Sequence, residues 1–298
     1  VARSRKRRTV IGVSVAMAVG LVVAGCGGSS TPTAASSSST SPTGVTTARP
    51  LPGRVGQTHT LIVGTNTPYA PNEFLDPRGG LVGFDVDVVN AIAKDLGLRV
   101  DYRQAPFADL LPSVADGRFD IVMRSLFDTK AREQQVDMVT YYSAGTMWAQ
   151  RAGAHVDPDN ACGNRVAAET GTVQAVTELP AKSEACRIAG QAPIVVVPID
   201  IETDAEAALQ RGEVDAVSAD SPVILYAVKQ SAGRLAVAGR AFDTEPYGFP
   251  VAKGSPLGPF LRESIQRLID SGELKRIAEK WGVQDGLITT STVNGATS

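Results

Sequence analysis

The segment 120–132, DIVMRSLFDTKAR, ends on an arginine placed to do anion chemistry. A β-rich run passes into a turn and then into the start of a helix. Backbone N–H groups at such a start, with a guanidinium beside them, make a receptor for a carboxylate. Arg132 can grip that group through two parallel hydrogen bonds. The plainer reading is an arginine that faces solvent and pairs with Asp128 or Glu133. A second block, GTNTPYAP at 64–71 followed by GFDVD at 83–87, repeats the layout of strand, turn and helix. In open α/β sheets, ligands bind outside the carboxyl ends of strands, at turns of this kind. Tyr69 there either offers a flat face to a small ligand or packs its own loop down.

Other chemistries find little support. His59 and His155 are the only histidines, and no CxxC or His/Cys cluster occurs, so neither a metal nor another cofactor is expected. The formal net charge of −2 hides an asymmetry, because Arg3, Arg5, Lys6, Arg7 and Arg8 crowd the amino end. Without those five cations, 24 basic residues face 31 acidic ones, a net charge of −7. So acidic a chain is a poor nucleic-acid binder.

The elements that must position these residues alternate. The 298 residues suit one large or two modest domains, and a 43% hydrophobic share is enough to bury a core. Strands are expected at 60–64, 99–102, 120–123, 165–168, 194–199 and 215–218. Helices are expected at 84–96, 107–114, 173–189, 203–211, 222–230 and 257–270. In the first helix Phe84, Val88, Ala91 and Ile92 share one face. Repeated strand–helix units imply an α/β fold with parallel or mixed sheets covered by helices.

The amino end is built differently. The basic cluster precedes an apolar run at 10–23, too short to span a bilayer comfortably. Val23-Ala24-Gly25-Cys26 follows and resembles the lipobox of bacterial lipoproteins, where small residues precede a cysteine that becomes lipidated. The resemblance implies a signal peptide at 1–25, lipid on Cys26 and residence on the outer face of the cytoplasmic membrane. An ordinary secretory signal or a short anchor helix is the simpler alternative. Gly, Ser, Thr, Pro and Ala dominate the stretch that follows, and 26–57 reads as a disordered tether, with folding to begin near Thr58. An exported compartment permits a disulfide between Cys162 and Cys186, against two buried thiols as the alternative.

From about 60 to 281 the chain resembles the bacterial solute-binding proteins of family 3, the polar amino-acid receptors of ABC importers. The resemblance rests on Tyr69-Ala70-Pro71, Gly83-Phe84-Asp85-Val86-Asp87, the segment 120–132, Gly171-Thr172, Asp215-Ala216-Val217 with Asp220, and Lys280-Trp281-Gly282, in that order. It implies a two-lobed periplasmic-binding-protein-like fold of type II with two hinge crossovers. The implied lobes are 58–144 with 248–288, and 145–247, hinged near 142–145 and 247–248. Residues 289–298 read as a flexible tail.

The resemblance also implies roles. Arg132 falls where the family binds the ligand α-carboxylate, and Asp220 where it pairs with the α-ammonium. Ser125 and Phe127 fall where backbone groups hold the amino-acid head. Tyr69 and Phe107 flank the ligand, and the amide of Thr172, after Gly171, adds to carboxylate binding. Three positions depart from the pattern. Phe127 lacks the hydroxyl of many relatives. Arg124 stands where a small serine is common, and either enters the pocket, favouring an acidic or amide side chain, or turns out to a surface acid. Asn66 is neutral where receptors of cationic amino acids carry aspartate. Together Asn66 and Arg124 argue against a Lys, Arg or His ligand. The implied function is a monomeric receptor delivering a small zwitterion to an ABC permease, not an enzyme. A dehydratase-like enzyme on the same fold, or a ligand-sensing lipoprotein without transport, are the alternatives.

Overall fold

Two sheets carry the site, and two long strands join them. The computed structural model describes residues 49–297. The leader, Cys26 and most of the expected tether lie outside the described residues. The first sheet begins after a short helix α1 (Gly53–Thr58) with strand β1 (Thr60–Thr65). A small hairpin, β2 (Phe74–Leu75) with β3 (Leu81–Val82), leads into helix α2 (Phe84–Asp95). Strand β4 (Arg99–Gln104), helix α3 (Phe107–Ala115) and strand β5 (Ile121–Met123) follow. The order is β4-β1-β5, all parallel, with Val63 opposite both Tyr102 and Ile121. After a single-turn helix α4 (Lys130–Glu133), strand β6 (Val136–Arg151) runs into the second sheet.

The second sheet collects β7 (Arg165–Glu169), β8 (Val195–Ile199) and β9 (Ala216–Asp220). A π-helical turn, Gln174–Glu178, passes into α5 (Leu179–Ile188) between the first two, and α6 (Glu202–Arg211) precedes β9. Helix α7 (Ser221–Gln230) then leads to β10 (Leu235–Ala252), which returns antiparallel to β6. The order is β10-β6-β9-β7-β8. Helices α8 (Leu257–Asp270) and α9 (Glu273–Trp281) close the chain back on the first sheet. The fold is therefore the two-lobed α/β periplasmic-binding-protein type, with β6 and β10 as the crossovers.

Each lobe has its own apolar centre. Phe84, Val88, Val89 and Ile92 of α2 pack with Leu61, Val63 and Tyr141 in one cluster. Leu209, Val217, Val223 and Ile224 belong to another, around the second sheet. Tyr141 stacks on Phe249 at 3.9 Å, joining the two crossover strands. The Lys280-Trp281 pair clamps the start of α2, both donating to Asp87 Oδ2, at 2.6 and 2.7 Å. A disulfide joins Cys162 to Cys186, tying the segment before β7 to α5.

The structure corrects the expected limits. Order begins ahead of Thr58, since α1 lies inside the expected tether and buries Val55. The tail is not loose. Val293 bridges to Val139, Asn294 donates its N–H to the Met138 carbonyl at 2.8 Å, and Ser291 is buried. Small polar residues pack here because they continue the edge of β6 by backbone hydrogen bonds, which need no apolar side chain. The helix expected at 173–189 opens as a π turn, and β6, β10 and α9 were not anticipated.

Candidate functional site

Four chain turns meet where the two sheets face each other. Gly83 fixes the first, because a Cβ there would lie 2.0 Å from the Asn72 carbonyl oxygen, and its φ of +146° suits glycine alone. Its turn lets Phe84 and Asp85 donate N–H groups back to Pro71 and Asn72, which folds the Tyr69 loop over the start of α2. The second turn follows β5 and carries Arg124 to Arg132. The third follows β7, with Gly171 at φ +83°. A Cβ on Gly171 would sit 3.3 Å from the Phe107 ring, so glycine lets the second lobe close onto α3. The fourth is the β9–α7 junction. Asp220 occupies the cap position there yet makes no capping bond, and its carboxylate points elsewhere.

These turns and the start of α3 bring Tyr69, Phe107, Arg124, Arg132, Thr172 and Asp220 around one small cavity of about 10 Å³. That is roughly room for a single water molecule. A larger cavity of about 730 Å³ adjoins it, and Phe107, Phe127, Arg132 and Val173 line both.

The charged groups differ sharply in how they are satisfied. Asp220 is 3% exposed and accepts from Gln174 Nε2 at 2.8 Å and from the Tyr247 hydroxyl at 2.6 Å. Burial raises its pKa, and the bonds from Tyr247, Tyr69 and Gln174 and the charge of Arg124 oppose that rise. Arg132 is half-buried, and its guanidinium donates to the Phe127 carbonyl at 2.8 Å. Among the described residues no carboxylate lies within ion-pairing distance of it. Burial pushes its pKa down to about 10, with Asp220, Asp128 and Tyr69 pulling the other way.

Arg124 is fully enclosed. It lines the small cavity and pairs with buried acids, not with a surface one. Its guanidinium lies 3.6 Å over the Tyr69 ring and 5.2 Å from the Phe107 ring centre. Nη2 donates to both Glu169 oxygens at 2.7 Å, and Nη1 stands 3.5 Å from Glu73. Burial opposes the Arg124 cation, but Glu169 and Glu73 overcome it and hold it more firmly protonated than an ordinary arginine. Burial, then the neighbouring Asp85, pushes the Glu73 carboxyl well above its usual range.

Three expected contacts are placed otherwise. Asn66 lines neither cavity, because its amide donates to the Ala105 carbonyl at 2.9 Å and ties the end of β1 to the β4–α3 turn. Ser125 lines the small cavity, but its N–H and hydroxyl both donate to Asp85 Oδ2, at 3.1 and 2.9 Å. Thr172 gives its N–H and hydroxyl to the Glu169 carbonyl, which closes its own turn. Phe127 offers no hydroxyl, and its ring packs 5.1 Å from Tyr247.

Glu169, Gln174 and Tyr247 were missed. Glu169 had a readable signal, since it ends strand β7 just before the Gly171 turn. Gln174 and Tyr247 had none, because they reach Asp220 from the π turn and from a crossover strand.

The sequence pattern of the bacterial extracellular solute-binding proteins, family 3, matches residues 61–284. The arginine-binding protein ArgT of Corynebacterium glutamicum is 34% identical over 246 residues, covering 82% of this chain and 81% of its own. An ancestral arginine-binding protein solved with arginine superposes with a TM-score of 0.68 at 31% identity, over 75% of this chain and 98% of that one. An ancestral amino-acid-binding protein described as a precursor of cyclohexadienyl dehydratase superposes at 0.63 with 28% identity, over 76% and 97% of the two chains.

Proposed function

This chain belongs to the bacterial extracellular solute-binding proteins of family 3, and from that premise we propose that it is a lipid-anchored receptor for a neutral or acidic amino acid or related zwitterion. On this reading Cys26 carries the lipid, 1–25 is removed, and the bound ligand passes to an ABC permease. The observation that carries the ligand class is the pairing of an uncompensated Arg132 with a buried Asp220 around one cavity. A zwitterion supplies the anion that Arg132 lacks and an ammonium for Asp220. The two residues come from turns of different sheets, so the ligand's binding energy favours closure. We place the hinges near 142–145 and 247–248, where the register of β10 against β6 slips between Tyr247 and Gly248.

The side-chain preference follows from Arg124, whose guanidinium already fills the space beside Tyr69 and Phe107 that a basic side chain would enter, which leaves a neutral or acidic one. The larger cavity is also lined by Arg132 and gives the ligand body the room that Arg124 denies it. The enzyme reading is weaker. The Arg132–Asp220 pair is accounted for by zwitterion binding, and catalysis needs a further acid or base at the reacting atom.

Calorimetry against a panel of amino acids tests the reading. Neutral or acidic members are expected to bind, and Arg132→Ala is expected to lose about 2–5 kcal/mol of that affinity. Full affinity in the variant removes Arg132 from the site.

A further inference from the structure

The environment of Arg124 is that of a bound cation. A planar guanidinium lies on one aromatic face, approaches a second, and meets a carboxylate with its edge. Those are the contacts by which a site recognises a guanidinium from outside. Its side chain is 1% exposed, and Glu73 and Glu169 beside it are 0% and 1% exposed. Arg124 leaves the end of β5 in one sheet, whereas Glu169 ends β7 in the other, so this pair crosses between the lobes. The carboxyls of Asp220 and Glu202 also feel the Arg124 charge. The acids gathered around this one cation therefore outnumber it.

We propose that Arg124 is a tethered occupant of a guanidinium seat formed by Tyr69, Phe107, Glu169 and Glu73. The chain supplies from its own side chain the cation that a basic ligand brings. Two consequences follow. Basic side chains are turned away because their place is taken, although the walls of the compartment are built to hold one. The lobes are also linked by a buried ion pair before any ligand arrives.

Shortening the residue empties the seat. In the full chain, Arg124→Ala is expected to be stabilised by millimolar methylguanidinium, read as a rise of several degrees in melting temperature. The wild-type chain is expected to show no such rise. L-arginine, which combines the guanidinium with the amino-acid head, is expected to bind the variant at least 100-fold more tightly than the wild type. The arginine arm rests on the receptor reading. Methylguanidinium has neither carboxylate nor ammonium, so it reports the seat alone, and wild-type binding of a neutral or acidic amino acid reports the receptor separately. A folded Arg124→Ala chain that ignores methylguanidinium overturns the proposal, and so does tight binding of arginine by the wild type. If the single variant does not fold, Arg124→Ala with Glu73→Gln keeps one carboxylate for one incoming cation. Refolding of either variant only when methylguanidinium is present supports the seat, and failure to refold even then overturns it.

Discussion

Arg124 and Arg132 stand eight positions apart in one turn, and they have opposite fates. Arg124 is enclosed, stacked on Tyr69 and doubly bonded to Glu169, with its proton held tightly. Arg132 is half-buried, touches one carbonyl, and has its pKa pushed down to about 10 by burial. The same side chain is complete in one corner and lacks a counter-ion in the other. A desolvated charge without a partner is costly to keep. On the proposed reading, the corner that keeps one is where a ligand's binding energy has most to supply, and the satisfied corner is part of the frame. Which arginine does which is settled by acids contributed from distant turns, not by the turn that carries both.

The largest expected effect separates the corners by stability. Glu169→Gln keeps the shape beside Arg124 and removes its charge partner. Breaking a buried pair in this way typically costs about 3–5 kcal/mol. Glu73 can ionise in reply, which favours the lower end of that range. The matching change at the other corner, Arg132→Met, is expected to leave stability unchanged or raise it, because no ion pair is lost and an unpaired desolvated charge is removed. Urea unfolding of the two variants checks this. Equal losses in both would erase the distinction between frame and receptor.

Asp220 lies between the corners and gives the next effect. Its carboxylate is held by Gln174 and Tyr247 and still faces the cavity that Arg132 lines. Asp220→Asn is expected to weaken ligands with an α-amine by about 1.5–3 kcal/mol, the usual worth of a hydrogen bond to a charged group. Ligands of the same shape without the amine are expected to change far less. Parallel titrations with an amino acid and its desamino analogue decide the matter, and equal losses would assign Asp220 to the frame with Arg124.

The contrast explains how far the sequence could be read. Strands β1, β4 and β5 and helix α2 declare themselves by β-rich runs and by one apolar helical face. Arg132, Tyr69, Phe107 and Asp220 could be placed together only through the resemblance to family 3, which rests on short motifs near strand ends in a recurrent order. The crossover strands β6 and β10 left no such mark. Strand β6 is buried on both faces for most of its length, so no alternation marks it, and the pattern of β10 is broken by register shifts and an exposed middle. Helix α9 was missed although Leu274, Ile277 and Ala278 form its buried side. Arg124 could not be settled because its partners, Glu73 and Glu169, lie on other turns and meet only in the fold. Asn66 and Ser125 show the converse. The Asn66 amide donates to Ala105 away from both cavities, and Ser125 lines the small cavity while its N–H and hydroxyl donate to Asp85.

The smallest effect concerns Asp85, the acid behind the Arg124 corner. Its carboxylate accepts from Ser125 and neighbours Glu73. Burial raises its pKa from 3.8 to about 6, against the opposing hydrogen bonds. An acid whose folded pKa is raised contributes stability that is fully present below about pH 4 and is lost as pH climbs through 6. Between pH 5 and pH 7.5 that loss is on the order of 1 kcal/mol. Asp128 and Glu178, each raised to about 7, act in the same direction, so the wild-type chain is expected to melt higher at pH 5 than at pH 7.5. Asp85→Asn keeps an acceptor for Ser125 and cannot ionise, and it is expected to flatten this slope by the share that Asp85 contributes. Thermal melts of both chains across the interval measure that share. An unchanged slope would mean that Asp85 does not titrate there, and that the Arg124 corner holds its charges without help from a shared proton.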